Sequence, residues 1–166
     1  MSLSPVDLQH LNRAVDLAEQ ALRAGDEPFG SLLVDADGRV LLQDHNRVVS
    51  RDGTRHPEFR LARWAGGHLS PQQRAAATVY TSGEHCPMCA AAHGWVGLGR
   101  IVYAASALQF AQWQQEWGAP DAPVAPLPIT SVVPDAEVDG PAPQLADRVR
   151  ALHRRFFDEV ASSRGR

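Results

Sequence analysis

Thr81-Ser82-Gly83-Glu84-His85-Cys86-Pro87-Met88-Cys89 holds both cysteines of the 166-residue chain, three positions apart, directly after the strand-like run Ala77-Thr78-Val79-Tyr80. Proline suits a first helical position, so a helix is expected to open at Cys86, and a three-residue spacing then puts both thiols on one face. The free N–H groups at a helix start favour thiolate, which suits a borderline-soft cation such as zinc. A Cys-x-x-Cys standing alone could equally be a disulfide or redox pair. A four-ligand structural zinc site would need a second knuckle, and the sequence has neither a second Cys-x-x-Cys nor a closely spaced histidine pair. Any further ligand must come from elsewhere.

Thirty residues before Cys86 stands His56-Pro57-Glu58-Phe59. Three protein ligands beside a free carboxylate, with the fourth position left to water, is the pattern of a catalytic zinc rather than a structural one. A His-x-Glu followed by Cys-x-x-Cys resembles the cytidine deaminase-like superfamily, in its branch of guanine, cytosine and tRNA adenosine deaminases. The resemblance runs from about Glu27 to Glu116 and is closest to guanine deaminases. It implies a three-layer α/β/α fold on a central five-stranded mixed sheet with the last two strands parallel. It further implies one zinc per chain on His56, Cys86 and Cys89, with Glu58 as the proton-transferring carboxylate.

From the same resemblance, Phe29 in Pro28-Phe29-Gly30 is expected to line the base pocket and Asn46 to bind a purine-type edge. Trp95 takes the place of a pocket tryptophan, with Trp113 or Trp117 adding to a flat stacking slot, and Glu116 that of a proton-shuttling acid. Two departures stand out. His85 occupies the position where the signature has proline, and Pro57 replaces a small residue whose backbone N–H helps hold the substrate; proline has none.

Along the chain, Ser4-Pro5 followed by Leu8, Leu11, Val15, Ala18 and Leu22 reads as a capped helix ending at Gly25. Residues 31–34 and 39–42 read as strands around an Asp37-Gly38 turn. A polar loop ends at His56, a second helix runs to Gly66-Gly67, and residues 70–74 read as a polar connection. Residues 100–105 read as a strand and 108–117 as a helix; after such a crossover the last strand, placed at residues 129–133, should run parallel to its neighbour. Between them lies a linker, residues 118–128, with four prolines. A helix at residues 145–160 carries Arg148, Arg150, Arg154 and Arg155, and Phe156-Phe157 is placed to dock on the sheet or on a second subunit.

The chain is thus expected to be one zinc-dependent deaminase domain over residues 1–166, closing in a C-terminal helix and tail over residues 143–166. Charged residues make up 21% of it and the net charge is −3, which offers no basic field of the kind a phosphate-binding surface needs, so a large nucleic acid is not an expected partner. Without a long apolar run or a basic and apolar leader, the expected location is the cytoplasm, where reduced thiols favour a metal over a disulfide. The expected substrate is a free nucleobase or analogue, of guanine or aminotriazine type, and the expected assembly a homodimer. Cytosine, tRNA adenosine and a non-catalytic zinc scaffold are the alternatives.

Overall fold

In a computed structural model, which describes residues 3–164, the elements follow the order α1 (Pro5–Arg23), β1 (Gly30–Val34), β2 (Val40–His45), α2 (Pro57–His68), α3 (Pro71–Ala76), β3 (Thr78–Gly83), α4 (Pro87–Val96), β4 (Ile101–Ala105), α5 (Ala107–Glu116), β5 (Val138–Asp139) and α6 (Pro143–Arg164). The expected tail at residues 165–166 lies outside the described residues. Among those residues no helix is long and apolar enough to cross a membrane.

The strands make one sheet in the order β2-β1-β3-β4-β5, antiparallel from β2 to β3 and parallel from β3 to β5. Alternation along each strand sends its side chains to two different helical layers. Leu32, Val34, Tyr80, Val102 and Ala104 pack with Leu11, Val15 and Ala18 of α1 and with Leu145, Val149 and Leu152 of α6. Leu33 and Val79, one residue out of phase, pack with Leu61, Ala62 and Ala65 of α2. Ile101 turns toward Ala90 of α4. A sheet buried on both faces between helices is the three-layer arrangement the sequence implies.

Gly30 decides how close the first layer comes. A Cβ there would fall into the α1 backbone at Ala14 and Ala18, so the helix rests directly on the start of β1. That contact fixes the Phe29 loop relative to the sheet.

Three expectations need correction. Residues 129–133 are not a strand: Ile129–Ser131 forms a 3-10 turn, and β5 is the two-residue segment after it. Pro128 and Pro134 bracket the apolar run, and the buried Ile129 plugs the cluster of Ala90 and Ile101 instead of joining the sheet edge. Second, residues 71–74 belong to α3, a short helix that Ser70 caps, raised by the Ser70–Gln73 capping box and by Pro71. Third, the arginines of the last helix, read from the sequence as a solvated face, are partly paired: Arg148 with Asp16 and Arg150 with Glu116.

α1 is locked to the sheet by a buried acid. Asp7, the capping-box partner of Ser4, accepts from Tyr80 Oη at 2.9 Å and from Arg100 Nη1 at 2.7 Å, while Arg100 Nε also holds Asp139 at 2.8 Å. Burial alone would raise the Asp7 pKa, but the hydrogen bonds from Arg100, Ser4 and Tyr80 outweigh it and hold the carboxyl well below its usual 3.8. A carboxylate with a lowered folded pKa contributes stability that is present above its unfolded value and lost as pH falls through the folded one. Asp7→Ala should therefore cost about 3 kcal/mol at pH 7, where it leaves Tyr80 Oη without its acceptor and Arg100 with Asp139 alone. Urea denaturation should show that cost narrowing only below about pH 3.8.

Candidate metal centre

Two helices deliver the site, and they begin alike. His56 is the N-cap of α2 with Pro57 after it, and Cys86 is the N-cap of α4 with Pro87 after it; both caps are extended, at ψ 138° and 164°. The residue before a proline is kept out of helical space, so each ligand is set at a fixed angle to the helix it opens. Cys89 follows in the first turn of α4, and α2 and α4 pack side by side.

The three donors close a triangle. His56 Nδ1 lies 3.5 Å from Cys86 Sγ and 3.6 Å from Cys89 Sγ, and the sulfurs are 3.6 Å apart, both free thiols. A tetrahedral ion with Zn–S of about 2.3 Å and Zn–N of about 2.0 Å spans edges of about 3.8 Å between sulfurs and about 3.5 Å between sulfur and nitrogen. The triangle has those dimensions, and a disulfide, at about 2.05 Å, does not. It is the one group of metal-ligating side chains found among the described residues.

The protonation of the triangle is uneven. The Cys89 thiol directed at Cys86, with the His56 ring beside it, pulls Cys86 down to about 4 against its burial. Cys89 is pushed up, chiefly by the negative Cys86 and then by burial, and contact with Cys86 raises His56. A cation that binds both sulfurs must displace the proton that Cys89 keeps, and metal uptake is thereby coupled to pH.

Glu58, one position into α2 beyond Pro57, is buried with its carboxyl beside the triangle: Oε2 stands 3.7 Å from Cys89 Sγ. Its other oxygen is held by the sheet. Ser31 and Thr81 face each other across β1 and β3, and both hydroxyls reach Glu58 Oε1, at 2.5 and 2.9 Å. Burial raises the Glu58 pKa, while these hydrogen bonds and the His56 charge work against the rise. The pair was not foreseen, because it depends on strand register. The signal lay in the parity of Ser31 and Thr81 with the apolar Leu33 and Val79.

Asn46 is buried; its Oδ1 accepts from Val48 N–H at 2.7 Å while its Nδ2 has no partner among the described residues. Phe29 is half-buried in a cage with Phe110 and His153, at centroid distances of 5.4 and 4.7 Å. In that cage the burial of His153 lowers its pKa to about 3. His85, in the place of the signature proline, is buried edge-on to His93, and burial lowers the pKa of both rings.

The structure does not bring three expected residues to the centre. Trp95 lies at the far end of α4 from the cysteines and is 90% exposed, so it lines no slot within the chain. Trp113 is core. Glu116 is exposed at the end of α5, where it accepts from Gln112 and pairs with Arg150. The acid that does stand near is Glu27, to which the sequence reading gave no role. It lines a cavity of about 530 Å³ with Phe110, Trp117, His153 and Phe156; burial raises its pKa, and the charge of His56 opposes the rise. An acid between a helix stop and Pro-Phe-Gly was the available clue.

Known proteins match this arrangement. The model of the cytidine and deoxycytidylate deaminase zinc-binding region matches residues 5–105. The probable cytosine deaminase of Schizosaccharomyces pombe is 37% identical over 106 residues, 63% of each chain. Guanine deaminase of Bacillus subtilis is 39% identical over 97 residues, 57% of this chain and 62% of that one. The match thus spans a little over three fifths of the length of these curated relatives. The solved guanine deaminase of Nitrosomonas europaea, 20% identical, superposes over 94% of this chain and 86% of its own with a TM-score of 0.69, a likeness of fold. Each of His56→Ala, Cys86→Ser and Cys89→Ser should weaken zinc binding about 100-fold or more, as competition with a chelator measures, and leave the far-ultraviolet spectrum nearly unchanged.

Proposed function

The chain belongs to the family of the cytidine and deoxycytidylate deaminase zinc-binding region, and from that premise we propose that it removes the exocyclic amine of a nucleobase ring by hydrolysis, releasing ammonia. The observation that carries this reading is the Glu58 carboxyl, fixed on one oxygen by Ser31 and Thr81 and aimed by the other at the ligand triangle.

His56, Cys86 and Cys89 would hold the zinc. When bound, zinc lowers the pKa of a coordinated water from about 15.7 toward about 7. Two thiolates cancel the formal charge of the cation, so a nearby base gains in value. Glu58 takes the water proton, and the burial that raises its pKa favours the protonated form it then holds. It then passes the proton to the ring nitrogen beside the amine-bearing carbon. Oxygen adds to that carbon, the carbon–nitrogen bond to the amine breaks, and the amine departs with the second water proton as ammonia. The hydroxyl pair keeps Glu58 in line through both transfers. Glu27, rather than Glu116, is the second carboxyl placed to meet the substrate, and the unpaired Asn46 Nδ2 supplies a donor.

The Pro28-Phe29-Gly30 run and Asn46 support a guanine-type purine or aminotriazine. Cytosine is the second reading, favoured by the likeness to the probable cytosine deaminase. Intact Glu58 opposes a non-catalytic scaffold, and Trp95 at the surface would serve the expected homodimer better than a pocket.

An ammonia-release screen over purines, pyrimidines and aminotriazines should find a substrate. Glu58→Gln should lose about a hundredfold to ten-thousandfold in kcat with zinc content unchanged. Silence from the zinc-loaded protein on every base would overturn the reading. Thr81→Val, which removes a hydroxyl that lowers the Glu58 pKa, should cut kcat about tenfold and move the acid limb of the pH profile to higher pH, with KM little changed.

A further inference from the structure

His153 is a buried polar group with no part in the proton transfers. It lies on α6, 4% exposed, and no hydrogen bond joins its ring to any described residue. Its neighbours are aromatic: the rings of Phe29 and Phe110 stand 4.7 and 4.6 Å away, centroid to centroid. A polar ring withdrawn from water without a partner is costly, and a ligand can supply the partner that the fold does not.

The cage adjoins the metal centre. A Cβ at Gly83 would fall 2.8 Å from Phe29 Cε1, so Phe29 rests on the end of β3 that leads into the cysteine loop. His153 and Phe110 line the cavity of about 530 Å³ together with Glu27, which feels the charge of His56. Trp117 and Phe156 add to its aromatic wall, whereas Trp95 and Trp113 lie elsewhere. No arginine or lysine lines it; five arginines, Arg47, Arg51, Arg55, Arg60 and Arg63, gather instead along a separate cleft that His56 also borders. The cavity therefore suits a flat, uncharged ring.

Burial keeps the imidazole neutral, with its pKa lowered to about 3. A neutral imidazole has one N–H to give, and an ionised Glu27 only accepts. One donor and one acceptor lining the same cavity complement a ring carbonyl beside a ring N–H. Guanine and cytosine both carry that pair, and a triazine bearing only amines does not.

We infer that His153 is a specificity-determining residue that donates a hydrogen bond to a ring carbonyl oxygen of the substrate, so that the site takes an amine-bearing base which also carries an oxo group. The inference rests on the deaminase reading and narrows its substrate class. α5 and α6, which supply Phe110 and His153, follow the residues 5–105 on which the family match stands.

The zinc-loaded full chain should be given two matched pairs, guanine with 2-aminopurine and cytosine with 4-aminopyrimidine, in which the second member keeps the amine and lacks the carbonyl. At least one oxo base should exceed its partner about tenfold or more in kcat/KM, mostly through KM. His153→Phe, which keeps a ring in the cage, should bring that ratio to within about threefold with zinc content and melting temperature little changed, and His153→Gln, which restores a donor, should recover part of it. His153→Leu gives the same comparison if the phenylalanine variant does not fold. A ratio unchanged by the loss of the imidazole would overturn the inference, as would a wild-type chain without oxo preference. A binding arm keeps the two readings apart: calorimetry of zinc-loaded Glu58→Gln, with and without His153→Phe, against the same four bases. An oxo preference in binding that His153→Phe removes, beside a wild-type chain that deaminates nothing, sinks the deaminase reading and keeps the role of His153. Binding without that preference, or no binding of any of the four, sinks the role of His153 and leaves deamination to the activity screen.

Discussion

A carboxyl buried beside two sulfurs and an imidazole would shed its charge or turn away unless something held it, and the cross-strand hydroxyls of Ser31 and Thr81 hold it. A hydroxyl has one proton to give: Ser31 gives its own to Glu58 over the short contact, and Thr81 shares its one between Glu58 and the Gly83 carbonyl. This small bridge joins sheet to helix. It requires β1 and β3 in their observed register, because a one-residue slip of either strand would send its hydroxyl to the α1 side and bring a neighbouring residue against the acid. The geometry of the centre is therefore a property of strand pairing as much as of the ligands.

The register in turn rests on α1. Gly30 lets that helix lie against the start of β1, and Asp7 pins it through Tyr80 and Arg100 to the middle and far side of the sheet. Glu84 does similar work at the other end of the motif. Its two oxygens accept from Ala107 and Ile129, each at 2.9 Å, tying the segment before α4 to α5 and to the 3-10 turn. The cysteine loop is thus framed from both sides by buried or half-buried carboxylates.

Much of this was legible in the chain itself. Cys86-Pro87-Met88-Cys89 and His56-Pro57-Glu58 announce their chemistry through spacing, and spacing within one helical turn survives folding almost unchanged. Residues whose roles depend on long-range placement were read less well. Trp95 and Glu116 were assigned by likeness of position, and a helix rotated or extended slightly carries such side chains to the surface. The run at residues 129–133 has strand composition, yet flanking prolines and the burial of Ile129 made it a turn. Net charge misled in a different way: an average over 166 residues conceals five arginines that come together only when the loop before α2 folds against that helix.

α2 bears His56 and Glu58 at its inner start and Arg60 and Arg63 on its outer flank. The metal-facing side chains and the positive charge of that flank are therefore carried on one rigid rod, and no drift of that rod can move one while sparing the other. The loop at residues 47–55 is free of that coupling: its guanidiniums can be exchanged one at a time, changing the charge of the cleft while His56 and Glu58 stay where α2 puts them.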